Sequence, residues 1–196
     1  MQISTKEEKI NGISLKIGYN FDNPQLIHNA LTRRSAIIEN SLDAFHSSNL
    51  RLEFIGDTLL NFIIGEIVYD TFQSGNESDL TVYRAGILAT DTLGEFLIQK
   101  DIGKFMIVGR GEEQNLITIN KKALVELIKA VFGAIYIDTK FNIEITRKII
   151  LKFMNPLIEK KFKTYKKGTA NYSIKALSDF NNVSDLLREQ IELLTK

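Results

Sequence analysis

The chain has 196 residues, of which 44% are hydrophobic and 25% are charged, and its formal net charge at pH 7 is +1. This composition is ordinary for a globular domain, and the near-neutral charge excludes an overall basic protein, so nucleic-acid binding would depend on a local patch. The chain contains no cysteine, which excludes disulfides and thiolate metal sites.

The start of the chain has no targeting pattern. Residues 1–9 hold acids and lack an apolar segment, which is atypical of a signal or transit peptide. No run of about 18 apolar residues follows, so we predict no membrane span. We therefore expect a cytoplasmic or nuclear location.

The first elements are short helices. An amphipathic pattern over residues 4–17 predicts a helix capped by Ser4 or Thr5. Asn23 is expected to cap a second helix that runs to about residue 32, because the following Pro24 suits a first helical position.

The rest of the chain is predicted to alternate between loops and longer helices. Polar residues 35–48 predict a loop with at most one helical turn, and residues 101–119 predict a loop with a short turn near Phe105. Pro156 is expected to kink or end the helix that contains it. The predicted helices are Ser47 to Phe72, Ser78 or Asp79 to Gln99, Asn120 to Thr139, Ile143 to Lys161, and short segments over residues 173–179 and 183–195. Because no alternating strand pattern occurs, the predicted fold class is all-α.

Two of these helices carry acids among apolar residues. Glu53 and Asp57 are four residues apart, which places both carboxylates on one face of the predicted helix. Glu126 and Lys129 lie one turn apart on the second apolar helix. Buried carboxylates need compensation by a divalent cation or by a basic side chain. On spacing alone, an internal ion pair in which Lys129 neutralises the acids is favoured over an inter-helix metal site.

The segment Leu52-Glu53-Phe54-Ile55-Gly56-Asp57 resembles the signature of the ribonuclease III family. Several other segments resemble that family in the correct order between about residues 15 and 156, and motifs in order are more specific than one short match. These segments are Ile17 to Phe21, Asn23-Pro24, Ala30 to Ser35, Asp79 to Thr81 with Arg84-Ala85, Gly109 to Glu113, and Ala130 to Asp138.

The resemblance implies a ribonuclease III-type helical endonuclease domain that cleaves both strands of double-stranded RNA as a homodimer with Mg²⁺, or with Mn²⁺ in its place. By position, Glu53, Asp57 and Glu126 match metal-site carboxylates of the family, and Glu126 stands where Asp is usual. Lys129 replaces a Glu that binds the metal directly, and an ammonium cannot ligate Mg²⁺.

A second departure is Leu50, which stands where the family has the first Glu of its signature. The resemblance therefore implies a weakened or noncanonical nuclease whose catalytic residues are Glu53, Asp57, Glu126 and Lys129. The alternative is an inactive double-stranded-RNA-binding or scaffold protein, in which Lys129 replaces the ion. A helical protein–protein module is a third class, although it would need neither the acids nor a basic run.

Phe54 lies between the two acids of the signature, and the matching aromatic in the family inserts into a dimer partner. We therefore expect an isologous homodimer with Phe54 and Ile55 near its centre.

A basic run with interleaved aromatics covers residues 160–168. Its lysines are either contacts to RNA phosphates or the solvated end of a helix. They are Lys161, Lys163, Lys166 and Lys167.

We predict a helical extension over residues 1–14, an endonuclease-like domain over residues 15–160, and a basic linker with short helices over residues 161–196. About thirty residues after the basic run are too few for the double-stranded-RNA-binding domain that follows the nuclease domain in many family members. We expect that the chain lacks this domain or has been cut short.

Overall fold

The computed structural model describes residues 5–39, 48–115 and 119–168, with side chains through residue 165. Within these ranges all regular secondary structure is helical, apart from one isolated bridge between Thr32 and Ile107. This confirms the predicted all-α class. The α-helices are α1 (Lys6–Ile17), α2 (Pro24–Leu31), α3 (Arg34–Glu39), α4 (Leu50–Thr71), α5 (Glu77–Leu88), α6 (Thr90–Gln99), α7 (Arg110–Gln114), α8 (Lys121–Asp138) and α9 (Ile143–Gly168), and a 3₁₀ turn covers Gly103–Phe105.

The core is organised around α4 and α8. Both helices carry long apolar runs, and most of their apolar side chains are buried, as expected for helices with an apolar surface on more than one side. Helices α2 and α6 pack against α8, α5 packs against α4, and α9 packs against α5 and α8. The acids predicted to form the site therefore lie on the two central helices.

Several helix starts follow the local sequence signals. The Thr5 side chain accepts a hydrogen bond from the Glu8 amide, and the Glu8 carboxylate accepts one from the Thr5 amide, which forms a capping box. Asn23 accepts from the Gln25 amide before Pro24, and Asn120 accepts from the amide of Ala123 at the start of α8. These caps confirm the predicted starts of α1, α2 and α8.

The helix predicted up to Gln99 is wrong in two respects. Its cap is Asn76, which forms a capping box with Asp79. The helix is also interrupted at Ala89, whose backbone is extended at φ −54° and ψ 135°. The break allows Ile87 and Leu93 to be fully buried on separate helices. Since Ala has the highest intrinsic helix propensity, only tertiary packing accounts for the break.

Two short helices lie in segments that were predicted to be mainly loop, although one helical turn was allowed in the first of them. Helix α3 lies in the expected polar loop, and α7 lies in the expected loop before α8. Each holds the other in place, because Glu39 accepts a hydrogen bond from the Arg110 amide at 2.9 Å and Ser35 accepts one from the Gly109 amide at 3.0 Å. Their partners are 71 and 74 residues distant in sequence, which explains why local patterns did not indicate them.

Pro156 does not end α9, which runs on to Gly168, so the expectation that the proline could end the helix is wrong. A proline inside a helix costs about 3 kcal/mol. Full burial of one large apolar side chain contributes about 1.5–3 kcal/mol, and several such residues flank Pro156 on the core side of α9. These buried residues are Phe153, Met154, Leu157, Ile158 and Phe162. Their combined burial outweighs the cost of the proline.

Some sequence predictions fall outside the described residues, namely the short helices over residues 173–179 and 183–195. The division at residues 14/15 and 160/161 stays a prediction, and both boundaries fall within helices. In the described ranges, no helix combines the length and apolarity that a membrane crossing requires.

Candidate active site

The site is built where α4 and α8 approach most closely. Gly56 on α4 faces α8, and a Cβ added there would lie 2.6 Å from the carbonyl carbon of Lys129. Gly133 on α8 faces α4, and its Cβ would lie 2.9 Å from Ile55 Cγ2. Such distances are shorter than ordinary van der Waals contact, so only glycine permits this backbone approach. The two glycines therefore fix the register in which the acids of α4 face those of α8.

Lys129 pairs with an acid across this contact. Its Nζ lies 2.7 Å from Asp57 Oδ1, and the Lys129 side chain is 22% exposed. The ion pair that the spacing favoured is thus present for Asp57, whereas Glu126 pairs with Arg33 and not with Lys129. Lys129, one turn after Glu126, therefore places a positive charge against Asp57 of α4, where a metal ligand would carry a negative one.

Arg33 is a site residue that the sequence reasoning missed. It lies between α2 and α3, donates from Nη1 to Glu126 Oε2 at 2.9 Å, and donates from Nε and Nη2 to both carboxylate oxygens of Glu112. Burial opposes its charge, but these hydrogen bonds raise the pKa of Arg33. The signals were available, because Arg33 and Glu112 fall in two of the segments that carry the family resemblance.

Glu112 is also held by Ser35. The Ser35 hydroxyl donates a hydrogen bond to Glu112 Oε2 and accepts one from the Gly109 amide. Burial of Glu112 would raise its pKa, yet the hydrogen bonds from Arg33 and Ser35 lower it. A half-buried network thus connects α3 and α7 to Glu126 on α8.

Glu53 differs from the other acids of the site. Within the described ranges it has no ion pair at 4 Å or less, while Asp57 has one and Glu126 has two. Burial raises the pKa of Glu53, and the charge of Glu126 raises it further, while Lys129 and Arg33 offset part of the shift. A half-buried carboxylate of this kind is suited to accept a proton.

The fit of a divalent ion can be tested on these contacts. Carboxylate oxygens are the donors that Mg²⁺ prefers, but Lys129 occupies Asp57 and Arg33 occupies Glu126. In the described part of the chain, no three Asp, Glu, His or Cys side chains are grouped to hold a metal ion. As arranged, the residues do not fit a bound divalent ion.

An apolar stripe runs along the outer face of α4 beside the acids. Phe54 is 76% exposed between Glu53 and Asp57, whereas Ile55 is half-buried and turned towards Gly133. The stripe is formed by Leu50, Phe54, Phe62 and Tyr69, all of which are exposed. Several exposed apolar groups on one helix are typical of an interaction surface.

The basic run lies at the end of α9, and its aromatic residues belong to the core. Phe162 is buried, and Tyr165 stacks on Tyr83 with ring centroids 4.7 Å apart. Lys163 is exposed and Lys161 is half-buried, while the side chains of Lys166 and Lys167 lie outside those described. The aromatics therefore anchor α9, and the lysines remain the candidates for RNA contact.

Comparisons with known proteins agree on one family. Residues 23–157 match the family model described as Ribonuclease-III-like. The Ribonuclease 3 proteins of Vibrio atlanticus and Desulforamulus reducens are similar, with 34% identity over 150 residues and 32% over 157 residues. The aligned regions cover 76% and 80% of this chain, but only 62% and 63% of those relatives.

Two solved structures of the nuclease domain of ribonuclease III from Campylobacter jejuni have the same fold. Each is 28% identical to the chain, and the TM-scores are 0.64 and 0.65. The first alignment covers 79% of this chain and 95% of that structure, and the second covers 80% and 98%. The second structure is described as flexible in a region involved in dimer formation.

Proposed function

The chain belongs to the ribonuclease III family, and from this premise we propose that it is an endoribonuclease that hydrolyses phosphodiester bonds in both strands of double-stranded RNA. The observation that supports the proposal best is that Glu53, Asp57 and Glu126 lie beside the backbone contact of α4 and α8, near enough for the charges of Glu126 and Asp57 to raise the pKa of Glu53. A decaying site would have little reason to retain three carboxylates on two neighbouring helices. Because Lys129 and Leu50 depart from the family pattern, the proposed enzyme is a weakened one.

The proposed chemistry assigns different roles to the acids and to the lysine. Glu53 accepts a proton from the attacking water, and the oxygen of that water forms the new bond to phosphorus. The bond from phosphorus to the leaving oxygen breaks, and the leaving oxygen takes a proton from solvent water. Asp57 and Glu126 position the cationic groups of the centre. Lys129 pairs with Asp57 and competes for it with any other cation; the Lys129→Glu variant below decides whether the lysine also stabilises the negative charge that develops on the phosphate oxygens.

The family depends on divalent metal, and Mg²⁺, with Mn²⁺ in its place, is the cofactor we propose. Such an ion would supply positive charge to the phosphate and lower the pKa of a bound water. Glu53, Asp57 and Glu126 are the residues that would hold it, provided that Lys129 and Arg33 leave their partners. This requirement is the physical reason to expect weak activity.

We propose that the active form is an isologous homodimer whose interface includes Phe54 and Ile55. Phe54 supports this, because an aromatic ring that is 76% exposed beside the acids is costly to leave in water. Two copies related by a twofold axis would present two centres to one duplex. Recognition of the duplex would then depend on phosphates and 2′-hydroxyls and would be largely independent of sequence.

Cleavage of a long RNA duplex in the presence of Mg²⁺ or Mn²⁺ tests the activity. We expect wild-type protein to cut the duplex slowly and Glu53→Ala to abolish cleavage. Glu7→Ala is the matched control, because Glu7 is an exposed acid in the first turn of α1. Equal cleavage by wild type and Glu53→Ala would assign the activity to a contaminant or to another site.

The alternative function is a double-stranded-RNA scaffold that does not cut. The ion pairs of Asp57 with Lys129 and of Glu126 with Arg33 favour it, because they balance the acids without a metal. Lys129→Glu separates the two functions, since it removes the competing ammonium and adds a carboxylate. A hampered nuclease should gain cleavage with this variant, while a scaffold should bind duplex RNA and cut with neither form.

Loss of cleavage in Lys129→Glu would have a third meaning. It would show that the lysine takes part in the reaction, as in the charge stabilisation described above, and not only in the competition with metal.

A further inference from the structure

We propose that Lys129 and Arg33 are built-in counterions of the carboxylate centre, which balance its charge in the RNA-free protein and compete with divalent cations for Asp57 and Glu126. The inference deepens the proposed function, because it concerns the same site and assigns Arg33 a positioning role. It rests on the contacts of the two cations and on the rigid frame in which they are held.

Both cations are engaged at short distance and partly shielded from water. Lys129 Nζ is 2.7 Å from Asp57, and Arg33 Nη1 is 2.9 Å from Glu126. The Lys129 and Arg33 side chains are 22% and 18% exposed. Partial burial limits screening by water and salt, so these pairs are stronger than ordinary surface pairs.

A small movement of α8 cannot displace Lys129 from the carboxylate centre. Its own carbonyl carbon would be 2.6 Å from a Cβ at Gly56, so the backbone of Lys129 lies directly against α4. A divalent ion at Asp57 can only displace the ammonium through rotation of the lysine side chain. The lysine then stays nearby and continues to repel the ion.

Arg33 is fixed mainly by Glu112, which lies outside the carboxylate centre. Among the described residues, three of its four side-chain hydrogen bonds go to Glu112 and one goes to Glu126. Glu112 is itself held by Ser35. If Glu126 turned towards an ion, Arg33 would remain anchored on Glu112, so Arg33 positions Glu126 without depending on it.

The expected size of the competition follows from electrostatics. A divalent and a univalent cation about 5 Å apart repel each other even in water-like surroundings enough to weaken binding by about tenfold. Removal of one of the two charges should therefore tighten divalent binding by about tenfold or more. Removal of Lys122, which is exposed and lies 3.9 Å from Glu126, should have a much smaller effect.

Mn²⁺ binding to the full chain, followed by the electron paramagnetic resonance of the free ion without RNA, tests the inference. We expect weak binding to wild type and about tenfold tighter binding to Lys129→Met. Lys129→Arg retains the charge and should bind as weakly as wild type. Lys122→Met is the matched control, because Lys122 is 81% exposed and lies 3.9 Å from Glu126, and it should change the affinity by less than Lys129→Met.

Arg33→Met should also tighten Mn²⁺ binding, but it leaves two partly buried acids without their main partner. Its thermal unfolding is therefore measured with EDTA and with added Mn²⁺. We expect Mn²⁺ to raise the melting temperature of this variant more than that of wild type, because a bound ion stabilises the native state. An equal shift in both proteins would overturn the role of Arg33.

The role of Lys129 is overturned if wild type and Lys129→Met bind Mn²⁺ equally, if Lys129→Arg binds as tightly as Lys129→Met, or if Lys122→Met has the same effect. Because the measured quantity is metal binding, the proposed function can fail independently. If the affinities follow the expected order but no RNA is cleaved, the counterion role is supported and the proposed nuclease activity is contradicted. If RNA is cleaved but the affinities do not follow that order, the nuclease activity is supported and the counterion role is contradicted.

Discussion

The contact between α4 and α8 gives the sharpest prediction about stability, and it concerns Gly56. In Gly56→Ala the new methyl group would lie 2.6 Å from the carbonyl carbon of Lys129 and 3.0 Å from the amide nitrogen of Gly133. Both atoms belong to the backbone of α8, so neither can move aside as a flexible side chain would. The helices would have to separate by about 1 Å, the kind of overpacking that costs about 1–3 kcal/mol, and we expect the upper end of that range.

Gly65→Ala is the matched control, because Gly65 lies on the same helix and its added Cβ would meet only the flexible Arg84 side chain, at 3.8 Å from Cδ, among the described residues. This substitution should stabilise the protein by about 0.5–1 kcal/mol, since alanine favours the helix. The two variants should differ by about 4 kcal/mol. For a chain of this size that is a difference of about 8–16 °C in melting temperature.

The assay is denaturant unfolding of both variants at one fixed protomer concentration, since association also stabilises the native state. The midpoints should move in opposite directions while the dependence on denaturant stays the same. If Gly56→Ala is within about 1 kcal/mol of Gly65→Ala, the two helices do not pack backbone to backbone as described. The register of Glu53 and Asp57 against Glu126 would then need revision.

Three further predictions concern assembly, RNA binding and pH. Phe54→Ala should shift a dimer towards monomer in sedimentation at micromolar concentration, whereas a wild-type monomer that the variant leaves unchanged would refute the proposed interface. Duplex RNA should bind with steep salt dependence. Joint replacement of Lys161, Lys163, Lys166 and Lys167 should weaken that binding, whereas unchanged binding would show that these lysines belong only to a solvated helix end. Burial, followed by the charge of Lys6, lowers the pKa of His28, so its neutral form is favoured on folding and its contribution to stability is lost as pH falls below about 6.5. Denaturant unfolding at pH 7.5 and 5.5 should show a smaller loss for His28→Gln than for wild type, and an equal loss would contradict the assignment.

The sequence by itself determined the helical class, the two central helices and the caps of α1, α2 and α8. These features depend on local signals: apolar spacing sets the buried faces of α4 and α8, and side chains such as Thr5 and Asn120 bond amides within three residues. The sequence also placed Glu53 and Asp57 on one face, because four residues are about one helical turn. The cost of burying carboxylates left a metal ion and a basic side chain as alternatives, and the spacing favoured the ion pair with Lys129.

Only the tertiary structure decided which groups compensate which acids. Arg33 reaches Glu112 and Glu126 across 79 and 93 residues of sequence, and no periodicity reports a contact of that range. The same limit applies to the continuation of α9 through Pro156, where burial against distant helices outweighs a local penalty. Local bonds depend on neighbouring residues and can be predicted from them, whereas the charge balance of the site depends on how separate segments pack.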